Sequence, residues 1–457
     1  MAKDCIICGK PAGSKEHVFP AALGGRRTNK GIYCGTHNNG YSPLAAALSA
    51  QLEAINALLG VRGDHASVPH ETILVDEASG RKIVLSQAKA EFANPEIKLE
   101  AASPGTDRFT GWFSGEKQFQ DWMEAQRAQG NDIKVTSKGR WQEYHPSGGR
   151  IDFGFGGPTG LRAIGYVAQT FLAHNFPAVA RSPDVIDFKH YTLGTSDAEF
   201  VWWDYEFPTT LPPNHFEFGH RIVAGLDPVS KVAYARISLF SALHFSVLFG
   251  RYLGDDARTV ITDIDPLAEH PPNDILERRE AVAMAVVSVP ADRKKSLAGA
   301  ISDGRSQEMF TDLLRSIADR DRRTCAERML KELKGSEQLD ALGRKNLFER
   351  VVASESQRVL NLMRHIVDDM KRRPETRSLA PLFDPLVAVD PTTDNGLTPA
   401  ATAALRLAQM ALVGQMLDDY AKEKLDLDRI EMLIGGGPGA AIVGQAMADP
   451  IMRSLPP

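Results

Sequence analysis

CIICGKPAGSKEHVFPAALGGRRTNKGIYCGTHNNGY, residues 5–41, holds three of the four cysteines of the chain. Cys5 and Cys8 form a C-x-x-C pair, and Cys34 with His37 repeats the spacing with histidine in the last place. Three thiolates and an imidazole make a closed four-ligand set suited to structural, tetrahedral Zn²⁺. So small a unit cannot bury a sufficient core, and a bound metal is expected to supply much of its folding energy. Between the ligand pairs, and directly after them, stand residues that a purely structural knuckle does not need. These are Glu16-His17 before Val18-Phe19-Pro20, Gly24-Gly25 beside Arg26 and Arg27, Asn29, and Asn38 with Asn39 behind it.

Each of these residue types has a physical use. Pro20 keeps Phe19 extended, so Glu16-His17 reads as part of a strand. Neighbouring strand side chains point to opposite faces, which leaves Glu16 and His17 to different tasks, one on a metal and the other facing substrate. A neutral imidazole is a usable base near pH 7. Arg26 and Arg27 carry the planar cations that suit phosphate oxygens. Residues 1–62 hold seven Lys/Arg against three Asp/Glu, while the whole chain has a net charge of −5. A locally basic head on an acidic body fits a head that meets phosphate.

Working outward, the 457 residues suffice for two or three domains. The expected division is 1–62, 63–265 and 266–457. Residues 42–59 read as a helix with Ser42 as N-cap, Pro43 at the first helical position and Gly60 closing it. ETILVD (71–76), RKIVLS (81–86) and EIKLEAA (96–102) read as short strands, and 113–130 as a helix. GGRIDFGFGGPTG (148–160) reads as a strand entering a glycine-rich turn; it lacks the Lys-Ser/Thr ending of a phosphate loop. LRAIGYVAQTFLAHN (161–175) reads as a buried helix. Alternating aromatic and polar residues over 196–250 predict three or four antiparallel strands, with Trp202, Trp203, His215, His220 and His244 as sheet core and edge. Beyond Pro266, Pro271 and Pro272, residues 274–288, 305–334, 337–372 and 398–434 read as helices. GGGPGAA and the SLPP tail read as a frayed end. Asp64-His65 with His70 reads as loop polarity rather than a second metal site, and Cys325 as an incidental thiol.

The spacing over residues 5–41 resembles the HNH nuclease family, the ββα-metal fold, in its zinc-stabilised C-x-x-C branch. The resemblance rests on Glu16-His17, Val18-Phe19-Pro20, Leu23-Gly24-Gly25, Asn29, Cys34-Gly35-Thr36-His37 and Asn38, and nothing beyond residue 60 takes part. It implies that His17 is the general base, that Glu16 and Asn38 hold a catalytic divalent cation, and that Asn29 orients the His17 ring. His37 stands where the family has a fourth cysteine. Glu16 replaces the commoner Asp and Asn38 the commoner His, a harder oxygen-rich set expected to favour Mg²⁺ or Mn²⁺.

The expected fold class is therefore α+β and multidomain: a zinc-stabilised ββα-metal head, an α+β middle domain with an antiparallel sheet, and a mostly α-helical C-terminal region. The resemblance implies hydrolysis of phosphodiesters in nucleic acid, double-stranded DNA foremost, leaving 5′-phosphate and 3′-hydroxyl. One head cuts one strand, so double-strand cleavage calls for a homodimer or sequential nicking. A small nuclease head on a large body resembles restriction or phage-defence effectors, the body reading DNA, an activating ligand or a partner protein. The competing class is a non-catalytic zinc-stabilised nucleic-acid-binding or scaffolding protein. No apolar run reaches the roughly 18 residues that span a bilayer, no signal-peptide core precedes Cys5, and zinc thiolates suit a reducing cytoplasm.

Overall fold

The computed structural model describes residues 3–64, 70–76, 80–87, 89–99, 108–139, 149–150, 154–204, 213–279, 304–390, 393 and 395–454. The chain is α+β, with an antiparallel sheet and a helical C-terminal region. It divides into two compact units. One comprises residues 1–75, 82–114 and 151–315; the other comprises 76–81, 115–150 and 316–457. The head and the main sheet thus belong to one unit.

Two short strands, Glu16–His17 and Thr28–Asn29, pair antiparallel in the head, with Glu16 opposite Asn29 and His17 opposite Thr28. A 3₁₀ turn, Ala21–Leu23, lies between them and ends in Gly24 at φ 83°. Only glycine fits here: a Cβ on Gly24 would stand 2.7 Å from Pro266 Cα. The helix expected over 42–59 begins earlier, at Gly35, with Cys34 as its N-cap. Pro43 lies inside it rather than at its start. The metal-ligand pair sets the helix start, because the Asn38 N–H already donates to the Cys34 carbonyl at 3.0 Å. The helix runs to Gln51 and, after a break at Leu52, resumes over Glu53–Leu59 before Gly60 in the left-handed region.

The central helix of this unit, Gly157–Asn175, is apolar nearly all round and buried from Ala163 to Ala173. A helix buried on every side belongs to a core. It packs on the head helix and on strands of a six-stranded antiparallel sheet. Across that sheet the strands run Asp274–Arg279, Arg258–Ile264, His220–Asp227, Val232–Leu239, Leu243–Arg251 and Val201–Trp203. The predicted strands of 196–250 are among these. Residues 274–279 form an edge strand where the periodicity predicts helix; pairing with Arg258–Ile264 outweighs the local pattern of DILERR. Residues 280–288 of that expected helix lie outside the described residues. Strands Thr72–Asp76, Lys82–Ser86 and Glu96–Leu99 form as expected.

Trp202, Trp203 and His220 are buried in the sheet. His220 packs between Phe19, tilted to it, and Phe240, edge-on to it, with centroids 5.0 and 4.6 Å away, and burial pushes its imidazole down to about 3. It is a neutral core histidine. Beside it, Arg221 holds Asp263 through two 2.6 Å bonds, and Asp263 also accepts from His215. Burial pushes the Asp263 carboxyl up, but the bonds from Arg221 and His215 outweigh it and hold it below its ordinary 3.8. Arg221→Met should destabilise this unit by about 3–5 kcal/mol, because it takes the buried cation away from a buried carboxylate and leaves it only the bonds from His215; thermal melts measure it. The pair's contribution should be full above the ordinary aspartate value and be lost as pH falls through the lower folded one.

In the second unit, Arg305–Leu333 enters from the first, and Ala341–Ser354, Ser356–Arg372, Pro399–Ala421 and Leu427–Gly435 follow. Asp340, Thr398 and Asp426 cap three of these through side-chain oxygens that accept backbone N–H bonds. On Ser356–Arg372, Val359, Met363 and Val367 line the core at helical spacing. GGGPGAA, expected to fray, instead leads into a helix, Pro438–Ser454, which puts Val443 and Met447 into that core; residues 455–457 of the SLPP tail lie outside the described residues. Gly436 and Gly437 supply the positive-φ turn and Pro438 opens the next helix. Glycines and a proline that read as breakers are a stop and a start.

Candidate metal centre and hydrolytic site

Cys5, Cys8, Cys34 and His37 come together, with all four ligand atoms within 4.8 Å of one another. They can hold one metal ion. Cys8 Sγ lies 3.8 Å from Cys34 Sγ, and His37 Nδ1 lies 3.6 Å from Cys5 Sγ and 3.3 Å from Cys34 Sγ. A tetrahedral ion with bonds of about 2.3 Å to sulfur and about 2.0 Å to nitrogen spaces its ligand atoms by about 3.5–3.8 Å. The backbone N–H of His37, and then its ring, bring the Cys34 thiol down to about 6, toward the thiolate that a metal needs. Among the described residues no other group of three or more His, Cys, Asp or Glu assembles in this way. His65 lies outside them. His70 Nε2 lies 3.0 Å from the Ala22 carbonyl.

The hairpin register sorts the remaining candidates by face. Residues directly opposite in an antiparallel pair share a face, so Glu16 goes with Asn29 and His17 with Thr28. Asn29 therefore does not orient His17. Its Oδ1 accepts from the Gly31 N–H at 2.7 Å, which leaves Nδ2 to donate to His174 Nδ1 at 3.0 Å. His174 is held below the ordinary histidine value by burial and by the charges of Arg27 and Lys3, as an accepting imidazole should be. On the other face, His17 Nε2 meets Asp64 Oδ2 at 3.1 Å, and both side chains are about one-fifth exposed. Asp64, which the sequence reading set aside as loop polarity, is the residue that meets the His17 ring. The one available signal was its acidic type just past the head helix, which is common in loops.

Glu16 Oε1 accepts the Tyr166 hydroxyl from the central helix. Burial pushes the Glu16 carboxyl up, and the Tyr166 bond and the neighbouring His17 pull the other way. Asn38 sits in the first turn of the head helix. Its Nδ2 donates to Ser14 Oγ at 2.8 Å and to the Lys15 carbonyl, one residue before Glu16. Its Oδ1 is buried and has no hydrogen-bond partner among the described residues. An orphaned amide oxygen and a partly buried carboxylate are both hard donor types. Asn39 is exposed.

Arg27 is engaged with the edge strand of the sheet and Arg26 with the loop before it. Arg27 pairs with Asp274 at 2.7 Å, and Arg26 donates to the Ala268 carbonyl. Both line a small cavity with Val18, Phe19, Thr262 and Asn273. In the glycine-rich 154–160 stretch the Gly156 N–H donates to Gln51 Oε1 at 3.1 Å. Cys325 is buried in the helical unit, and burial pushes its thiol up to about 12, an inert state. Among the described residues no helix is long and apolar enough to cross a membrane. No family model, curated protein or solved structure matches the chain.

Proposed function

We propose that the chain is a cytoplasmic, metal-dependent HNH-type endonuclease acting on double-stranded DNA, with structural zinc at Cys5, Cys8, Cys34 and His37. The observation that carries this reading is the order of parts in the head. A hairpin bearing Glu16-His17 leads into a helix whose first turn bears His37 and Asn38, and a four-ligand set joins the start of that helix to the Cys5–Cys8 knuckle before the hairpin. That is the ββα order the sequence resemblance implies.

In this reading Glu16 and Asn38 hold Mg²⁺ or Mn²⁺, which when bound stabilises the charge building on the phosphate and on the leaving 3′ oxygen. The bond to Asp64 places the ring proton of His17 on Nε2 and the lone pair on Nδ1. His17 then takes a proton from water as the water oxygen bonds to phosphorus. The bond from phosphorus to the 3′ oxygen breaks, and that oxygen takes up a proton from solvent. Asp64 replaces Asn29 as the residue that orients the base, while Asn29 secures the hairpin. Phosphate contact by Arg26 and Arg27 is not part of the proposal, since Arg27 pairs with Asp274 on the edge strand and Arg26 bonds the loop carbonyl of Ala268. The body would regulate or target the head, as in phage-defence effectors, and double-strand breaks would need a homodimer or two nicks.

The test is nicking of supercoiled plasmid by the full chain in Mg²⁺ and in Mn²⁺. Asn38→Ala should lose cutting by at least about 10-fold with zinc content unchanged, because it removes a cation ligand and no zinc ligand. One second reading has an observation in its favour. The inward bond of Glu16 to Tyr166 and the engaged arginines suit a zinc-stabilised docking module without catalysis. Plasmid binding without nicking in either metal, equal in wild type and Asn38→Ala, would select it.

A further inference from the structure

The face of the hairpin that carries Glu16 and Asn29 is held at two points by one element outside the head. On the central helix Gly157–Asn175, Tyr166 donates its hydroxyl to Glu16, and His174 accepts from Asn29 two turns later. Tyr166 is 5% exposed and cannot swing freely. Its ring stacks on Tyr41 at 4.9 Å between centroids and on Tyr33 at 6.4 Å. Those two rings are fixed in turn: Gln169 donates to both hydroxyls, Tyr33 lies 3.0 Å from Thr170 and Tyr41 lies 3.1 Å from Thr192. Every polar atom in this layer has a partner, which makes it a rigid backing rather than loose packing. A carboxylate that accepts a bond on one oxygen keeps its other oxygen for a cation, in an orientation set by the donor.

We propose that Tyr166 is the positioning residue of the cation site, fixing the Glu16 carboxylate so that its second oxygen faces the ion. The inference rests on the nuclease reading only for the statement that Glu16 binds a divalent cation. It adds that the site is completed by the body and is not contained in residues 1–62.

The experiment measures Mn²⁺ binding by the zinc-loaded full chain, followed as loss of the free-ion electron paramagnetic resonance signal. Tyr166→Phe keeps the ring in the aromatic stack and removes only the hydroxyl. It should weaken Mn²⁺ binding by about 10–100-fold, the usual cost of removing a residue that orients a metal ligand, with zinc content and circular dichroism unchanged. Tyr41→Phe removes a hydroxyl from the same stack without reaching Glu16, and should bind Mn²⁺ as wild type does. Equal affinity in wild type and Tyr166→Phe overturns the proposal, as does an equal loss in Tyr41→Phe, which would assign the effect to packing. Wild type that takes up no Mn²⁺ overturns it together with the cation role of Glu16. Wild type that binds Mn²⁺ through Tyr166 yet cuts no DNA upholds the positioning role and ends the nuclease reading.

Discussion

His17→Ala should lower plasmid cleavage by about 10²–10⁴-fold, the usual contribution of a positioned general base. The fold should survive, since the ring makes no part of the zinc set and the hairpin is closed by backbone bonds such as Val18 N–H to the Arg27 carbonyl at 2.8 Å. Zinc content and circular dichroism check this directly. Added imidazole should restore part of the rate to His17→Ala, because the missing group is a proton acceptor and the substitution leaves room for one. Asp64→Ala should cost less, about 10-fold or somewhat more, since it frees the ring orientation and tautomer without removing the base. Single-turnover cleavage in Mg²⁺ separates the two. A His17→Ala variant that nicks plasmid as fast as wild type would exclude the base role.

The second large effect is on folding. Cys8→Ser should remove the bound zinc and unfold the head while the helical unit keeps its far-ultraviolet signal. The reason lies in how little else the first 34 residues have. Their regular structure is two strands of two residues and one 3₁₀ turn. The knuckle is held by a few backbone bonds, among them Cys5 N–H to the Lys10 carbonyl at 2.7 Å and Gly9 N–H to the Cys5 carbonyl at 3.0 Å. Cys5, Ile6, Ile32 and Tyr33 are buried there, but such a cluster is too small to offset the ordering of the chain alone. Serine is a poor zinc ligand, and a site left with three ligands holds the ion weakly. Metal analysis should show the loss of about one zinc per chain, and strong chelators should give wild type the same hydrogen-exchange pattern as the variant. Retention of full zinc by Cys8→Ser would remove Cys8 from the ligand set.

The sequence carried the metal centre well, because ligand type and spacing are local and their chemistry is narrow. It also carried the central helix and most of the sheet strands through unbroken apolar runs and alternation. Two things were not legible. The register of the hairpin was hidden, because the ten residues joining its strands leave the pairing open. Only the observed pairing of Glu16 with Asn29 shows that Asn29 lies on the face away from His17. The partners of the site were hidden as well. Asp64 and Tyr166 are 47 and 150 residues from the side chains they bond, and no periodicity links such positions. The C-terminal helix and the edge strand Asp274–Arg279 were missed for a related reason: in each, contacts with distant elements decide a segment whose local signals point elsewhere.

Gly24 has a wider meaning than its turn. Its α-carbon lies so close to Pro266 that any side chain would collide with backbone, and its carbonyl accepts the Asn273 amide at 2.7 Å. Position 24 is therefore held to glycine whatever residue stands at 266, because every residue places an α-carbon there. In a lineage where this protein diversifies, position 24 should stay glycine while the side chain at 266 changes. A side chain placed at 24 should loosen the head from the chain around 266 first, with its zinc ligands intact.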